Sequence, residues 1–185
     1  MKAGCATGKG SRLSREDEEV GVATDWDRIV REHGPMVYGT AWRILGCAAD
    51  AEDVVQDVFL QVHQIQQKTP VRYWVALLRR LASCRALDRL RQRRKTVAFD
   101  NLQLASAGEA PDAALLERET SDRLREAIAQ LPRREGEVFC LRYFEEFTYQ
   151  QIAETLSITP GAAAAALHKA RAKLEAALTE AAKRE

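Results

Sequence analysis

From Trp26 onward apolar residues recur at three- and four-residue intervals, the period of an amphipathic α-helix. Trp26, Ile29, Val30, Val37, Ala41, Ile44 and Leu45 form the first such series. Thr24, with Asp27 three residues on, is its expected N-cap, Gly34-Pro35 its expected break or kink, and Gly46 its stop. A second helix is expected from about Ala49 to Gln66, with Ala51, Val54, Val55, Val58, Val62 and Ile65 on one face. Its other face carries Glu52, Asp53, Gln56 and Asp57. After the turn-like Lys68-Thr69-Pro70 a third helix runs from about Val71 to Lys95, with Leu77, Leu81, Cys84 and Leu87 inward and a series of arginines outward.

The period then lapses. Residues 96–118 mix Gly, Pro, Ser and acids and read as a flexible acidic linker. Helical spacing resumes at Glu119. Leu124, Ile128 and Leu131 mark one helix, Pro132 opens a new turn, and Val138, Leu141 and Arg142 belong to the next. Thr148 and Gln151 have the spacing of a capping box, and Thr159 followed by Pro160 has that of a capped N-terminus. Residues 1–23 show no apolar period and read as a disordered tail. No stretch reads as a strand. The expected fold is therefore all-α, with two small helical domains at residues 24–95 and 119–185.

Charge changes the picture more than composition does. The net charge is only +1, yet ten Lys or Arg stand against one acid, Asp88, between Lys68 and Lys95. From Asp100 to Glu126 seven acids stand against three arginines. A basic surface for a polyanion and an acidic connector follow. Arg85, Arg89 and Arg93, spaced i, i+4, i+8, form a stripe that a phosphate backbone can meet, or else a solvated face. Upstream, Arg72 adjoins Tyr73 and Trp74, whose rings could stack on an unpaired base or, for Trp74, fill a core.

Other classes find little support. Cys5, Cys47, Cys84 and Cys140 form no CxxC pair, and His33, His63 and His168 fall in no HExxH spacing or beside a nucleophile. Free thiols, no metal, no cofactor and no enzymatic activity are the expectation. No apolar run approaches the roughly 18 residues needed to span a membrane, and no signal peptide precedes Cys5, so the chain is expected to stay in the cytoplasm.

The helices from Thr148 to about Leu178, joined by "LSIT", have helix-turn-helix spacing. Ala153 falls where the two helices touch. Ser157 falls where the turn often needs a left-handed residue, at a cost of about 1 kcal/mol. On the last helix Ala163, Leu167, Ala170, Leu174 and Leu178 share an inward face. Gly161, Ala162, Ala165, His168 and Lys169 lie opposite, with Ala164 and Ala166 on the flanks. A plain bundle with an Ala-rich helix is the alternative reading of this stretch alone.

"DAEDVVQDVFLQV" (50–62), the basic helix ending "RALDRLRQRR" and "LPRREGEVFCLRYFEEFTYQQIAETLSITPGAAAAALHKARAKL" (131–174) together resemble the extracytoplasmic-function sigma factors of bacterial RNA polymerase. The resemblance spans about residues 24–178. It implies a two-domain initiation factor that binds core polymerase, opens promoter DNA at the minus-ten element and docks on minus-35 DNA. Asp50, Glu52, Asp53, Gln56 and Asp57 map to the face that meets the clamp helices of the largest subunit. Arg72, Tyr73, Trp74, Arg80, Cys84, Arg85, Arg89 and Arg93 map to the minus-ten region. Thr159, Ala162, Ala164, Ala165, His168, Lys169 and Arg171 map to the minus-35 region, in a domain that also touches the polymerase flap. An anti-sigma protein is the implied regulator. A sigma-like regulator that binds promoters without directing initiation is the alternative.

Three departures from the family pattern stand out. Cys84 sits one turn before Asp88, where the family often has Asn. The span from Trp74 to Asp88 is about three residues longer than usual. Ala164, Ala165 and Ala166 replace the usual Lys or Arg, Ser, and Arg, so methyl groups stand where base-reading side chains are common. His168, Lys169, Arg171 and Lys173 remain as groups suited to phosphates.

Overall fold

Seven α-helices make up the regular structure of the described residues in the computed structural model, which describes residues 25–69, 71, 73–99 and 112–183. The expected tail, the Thr24 cap, Arg72 and the central part of the expected linker, residues 100–111, lie outside them. Helices α1 (Trp26–Leu45), α2 (Ala48–Gln66) and α3 (Trp74–Phe99) pack as one bundle. Helices α4 (Asp112–Gln130), α5 (Arg133–Tyr143), α6 (Tyr149–Leu156) and α7 (Pro160–Ala182) form the second.

The start of α1 is capped by Asp25, whose side chain accepts a 3.0 Å hydrogen bond from the Arg28 amide. The expected break at Gly34-Pro35 is absent: α1 continues through Pro35. Proline removes one amide donor and crowds the preceding turn, a penalty of about 3 kcal/mol. Arg31 and Pro35 both face solvent, so water can take the carbonyl left unpaired. One turn later, burial of Val37, Ala41, Ile44 and Leu45 holds the helix on course. Gly46, at φ 64°, ends it as expected by returning its amide to the Trp42 carbonyl.

Helix α2 buries Ala51, Val54, Val58 and Val62, as its pattern requires. Helix α3 departs from the one-sided expectation, for Leu78, Leu81, Ala82, Ala86, Leu87 and Leu90 are all buried and spread over more than one face. The reason is tertiary: α1 and α2 cover one side of α3, while α4 and α5 of the second bundle cover another. The helices approach closely at Gly136 on α5, where a Cβ would come within 2.9 Å of Leu87 Cδ2. Helix also occupies residues 96–99 and 112–118 of the stretch expected as a linker.

In the second bundle both cap motifs form as read. Thr148 and Gln151 exchange the two capping-box bonds, at 3.2 and 2.8 Å. Thr159 Oγ1 accepts from the Ala162 amide at 3.1 Å. Ser157 adopts φ 53°, the left-handed conformation that the short turn demands, and Ala153 is buried at the helix crossing. Ala163, Leu167, Ala170 and Leu174 pack inward, with Leu178 half-buried.

Candidate nucleic-acid interface

Two surfaces that the sequence assigns to different partners meet in one seam. Arg89, on α3, donates from Nε to Asp50 at 3.0 Å and from Nη2 to Asp53, both on α2. Arg93 reaches Asp50 at 3.3 Å, and Arg85 Nε donates to Gln61 at 3.0 Å. The arginine stripe therefore lies along the acidic face of α2 and is partly neutralised by it. Asp50 is mostly buried between its two arginines, whereas Glu52, Gln56 and Asp57 remain exposed. An open groove of about 430 Å³, bounded by Gly34, Pro35, Tyr38, Glu52, Val55 and Gln56, runs beside them.

The aromatic pair at the start of α3 divides its labour. Trp74 meets Trp26 edge-on, with ring centroids 5.8 Å apart, and Trp26 in turn lies 4.9 Å from His63. That cluster ties the ends of three helices together. Tyr73, just before α3 and 79% exposed, offers its ring to solvent, and Arg80 is exposed on α3. Tyr73 and Arg80 line one side of a cleft of about 310 Å³, with Glu154 and Thr155 of α6 on the other. Of the two rings, that of Tyr73 is the one open to a stacking partner.

Cys84 does not stand free in a base pocket. It is half-buried where α3 meets α5, and burial, with the Glu137 carboxylate nearby, pushes its thiol up to about 11. Cys140 is fully buried, and burial pushes it up to about 12. Both thiols ionise more easily in the unfolded chain, near pH 9, so the stability they contribute is intact below that pH and is lost as pH rises toward 11–12. At about pH 8, alkylation of Cys84 and Cys140 in the native chain is expected to run at least ~10-fold slower than in the urea-unfolded chain. Residue-resolved mass spectrometry measures this; equal rates would refute the burial.

On α7 the residues expected at DNA form one exposed face: Thr159, Ala162, Ala165, His168, Lys169 and Arg171 are exposed and Ala164 is half-buried. Lys173 is not part of it, because its ammonium pairs with Glu135 on α5 at 2.8 Å. Three small methyl-bearing positions at the start of the helix and a cationic end give a surface whose chemistry suits phosphate more than base edges. Arg142 braces this unit from behind, donating to the Phe147 carbonyl at 2.9 Å and lying 5.6 Å from the centre of the Tyr149 ring.

Sequence reasoning missed Glu145. This acid, in the turn between α5 and α6, is almost wholly buried and accepts from Arg43 Nη2 at 2.7 Å and Thr40 Oγ1 at 2.8 Å, with Arg79 Nε at 3.3 Å. All three partners belong to the first bundle. Among the described residues no cluster of His, Cys, Asp and Glu suits a metal, and no helix is long and apolar enough to cross a membrane.

Residues 29–96 match the family model described as sigma-70 region 2, and residues 121–174 match sigma-70 region 4. Together they span about two-thirds of the chain. The chain is 26% identical over 164 residues to the ECF RNA polymerase sigma factor SigW of Bacillus subtilis (strain 168), covering 82% of this chain and 88% of that protein. Two solved structures share the fold. CnrH in complex with the cytosolic domain of CnrY has a TM-score of 0.53 at 24% identity, with 84% of this chain and 88% of that one covered. The sigma factor RpoE in complex with the anti-sigma factor NepR, from Bartonella quintana, has 0.50 at 19%, with 84% and 97% covered.

Proposed function

We propose, from the premise that this chain belongs to the sigma-70 family as an extracytoplasmic-function sigma factor, a division of its work between the two bundles. The protein directs promoter-specific transcription by RNA polymerase. Within that activity, residues 24–95 bind core polymerase and open the minus-ten element, and residues 119–185 dock on minus-35 DNA. The observation that carries this reading is the pairing of an exposed acidic edge on α2 with a helix-turn-helix whose outer face is unencumbered.

Glu52, Gln56 and Asp57 are the polymerase contacts best disposed for a partner, with Asp50 and Asp53 buttressing the seam beneath them. Tyr73 and Arg80, with Arg72, take the freed minus-ten strand. Flipping a base out of the stack costs a few kcal/mol, which aromatic stacking at about 1–3 kcal/mol per base can offset. Thr159, Ala162, Ala165, His168, Lys169 and Arg171 hold the minus-35 duplex, mainly by its backbone. The bond-making chemistry stays with the polymerase, in the cytoplasm. An anti-sigma protein is the proposed regulator, the class of partner with which the RpoE relative was captured.

The test is transcription reconstituted from purified core polymerase, this chain and genomic templates. Discrete transcripts that vanish when the chain is omitted are expected. DNA binding with no promoter-specific transcript would favour a regulator that does not direct initiation.

A further inference from the structure

The groove between α1 and α2 has features that the proposed polymerase contacts leave unused. Gly34 forms part of its wall, and a Cβ there would meet nothing within 4 Å, so that stretch of wall is bare backbone. Beside it Pro35 carries no amide hydrogen, which leaves the Arg31 carbonyl without its helical donor. Val30, Gly34, Tyr38 and Trp42 recur every fourth residue and so share a face of α1. Val30 and Trp42 are exposed, and the Tyr38 and Trp42 rings stack with centroids 6.4 Å apart. Across the groove stand Glu52, Val55 and Gln56 of α2. Among the described residues Glu52 and Asp57 make no ion pair, unlike Asp50 and Asp53, which Arg89 holds. A complementary occupant is cationic, carries an apolar side chain and has hydrogen-bond donors to spare.

The chain itself contains such a segment. Residues 1–15 hold Lys2, Lys9, Arg12 and Arg15 and no acid, with Leu13 between the two arginines. The start of α1 sets their distance from the groove. Gly34 and Tyr38 lie about 12 and 18 Å along the axis from Trp26, at about 1.5 Å per residue. From Asp25, which precedes the helix, the chain back to Arg15 and Arg12 reaches at most about 33 to 47 Å. The tether is thus long enough to turn back along α1, and it presents the segment to the groove at an effective concentration on the order of 1 mM.

We infer that residues 9–15 dock in this groove, with Leu13 against Pro35 and Val55, and Arg12 and Arg15 set between the α2 acids and the Tyr38 and Trp42 rings. Guanidinium groups suit both neighbours, since they pair with carboxylates and stack on aromatic faces. The four acids at residues 16–19 fall in the returning tether, clear of α2. The docking stands on the groove and the sequence; only its consequence rests on the proposed function. The segment occupies the face proposed for polymerase, so core binding carries a penalty set by the fraction of chains whose groove is empty.

Two full-length variants test this. Lys9→Glu/Arg12→Glu/Arg15→Glu reverses the charge of the segment and alters neither bundle. Gly34→Leu fills the groove from its bare wall, where the added Cβ has open space. A water-soluble carbodiimide joins a lysine amine to a carboxylate in contact with it, and mass spectrometry of the monomer locates the joins. In the wild type Lys9 is expected to join Glu52 and Asp57 in preference to other acids. Gly34→Leu should lower that yield at least ~5-fold, and so should an excess of a synthetic peptide of residues 5–19 added to the wild type, which decides the matter if Gly34→Leu melts early. Indiscriminate joining, or a yield that neither treatment lowers, would overturn the docking. The triple variant is expected to bind core polymerase ~2- to 5-fold more tightly than the wild type at low salt, a difference that fades near ~0.5 M salt. Equal affinity at low salt would overturn the competition. If Lys9 does not join the α2 acids and the triple variant instead loses affinity for promoter DNA, with a salt slope lowered by about 3, the segment is a phosphate contact and the inference falls. A wild type that directs no promoter-specific transcript removes the sigma reading, while the joins still decide the groove.

Discussion

Replacing Glu52 and Asp57 together by arginine is expected to weaken binding to core RNA polymerase by roughly 30- to 1,000-fold. Both residues are exposed on α2, about one turn and a half apart, and Glu52 lies on the rim of the groove between α1 and α2. A docking partner that complements an acidic edge is itself basic, and setting like charges together across an interface costs several kcal/mol. The fold should change little, because neither position is packed in the core, although Asp57 adds to the acidic field around Arg89. Asp50 and Asp53 are poorer tests. Arginine at either position would face Arg89, so lost affinity could arise from a disrupted α2–α3 seam. The measurement is a titration of labelled chain with core polymerase beside a thermal melt. An affinity within about two-fold of the wild type, with an unchanged melt, would move the docking face elsewhere.

The parts of this fold that are legible in the sequence are those set by local physics. The Thr148–Gln151 capping box, the left-handed Ser157, the buried Ala153 and the inward row Ala163, Leu167, Ala170 and Leu174 all depend on residues within about two turns of one another. Their geometry follows from helix periodicity and from the need to satisfy terminal amides. Pro35 shows where local reasoning ends. Its penalty is real, but burial of Val37, Ala41, Ile44 and Leu45 against the other helices outweighs it.

Features set by distant pairings were not legible. Arg85, Arg89 and Arg93 do form a stripe, but periodicity says nothing about which neighbour a polar face meets, and this one meets the acids of α2. Nor does "YFEEF" distinguish Glu145 from Glu146: the first is buried by arginines more than sixty positions away, the second exposed. Cys84, read as an inward residue of one bundle and as a base contact, is held between two. Each of these readings treated the bundles as independent. The structure brings α3 into both, so Arg85, Arg89, Arg93 and Cys84, all proposed binding residues, already have neighbours within the chain.

Placing arginine at Ala165 is expected to create sequence discrimination that the native helix lacks. Ala165 is exposed in the middle of the outer face of α7, between Ala162 and Lys169. A methyl group there can touch a thymine methyl but donates no hydrogen bond, so single-base changes in a minus-35 duplex should alter native affinity by under about 1 kcal/mol. A guanidinium that reaches guanine O6 and N7 adds about 1–3 kcal/mol, or roughly 5- to 150-fold, for the duplex that presents guanine at the facing position. Lys169→Ala should behave oppositely, weakening every duplex alike and lowering the salt slope by about 1, because a phosphate contact releases counterions without reading sequence. Anisotropy titrations of the full chain on single-base duplex variants at several salt concentrations separate the two effects. A native profile already spread more than about ten-fold, or a Lys169→Ala loss confined to one base pair, would mean that this face reads bases after all. A flat native profile sharpened by Ala165→Arg leaves promoter choice to rest chiefly on the minus-ten contacts proposed for Tyr73 and Arg80. Those two residues share a cleft with Glu154.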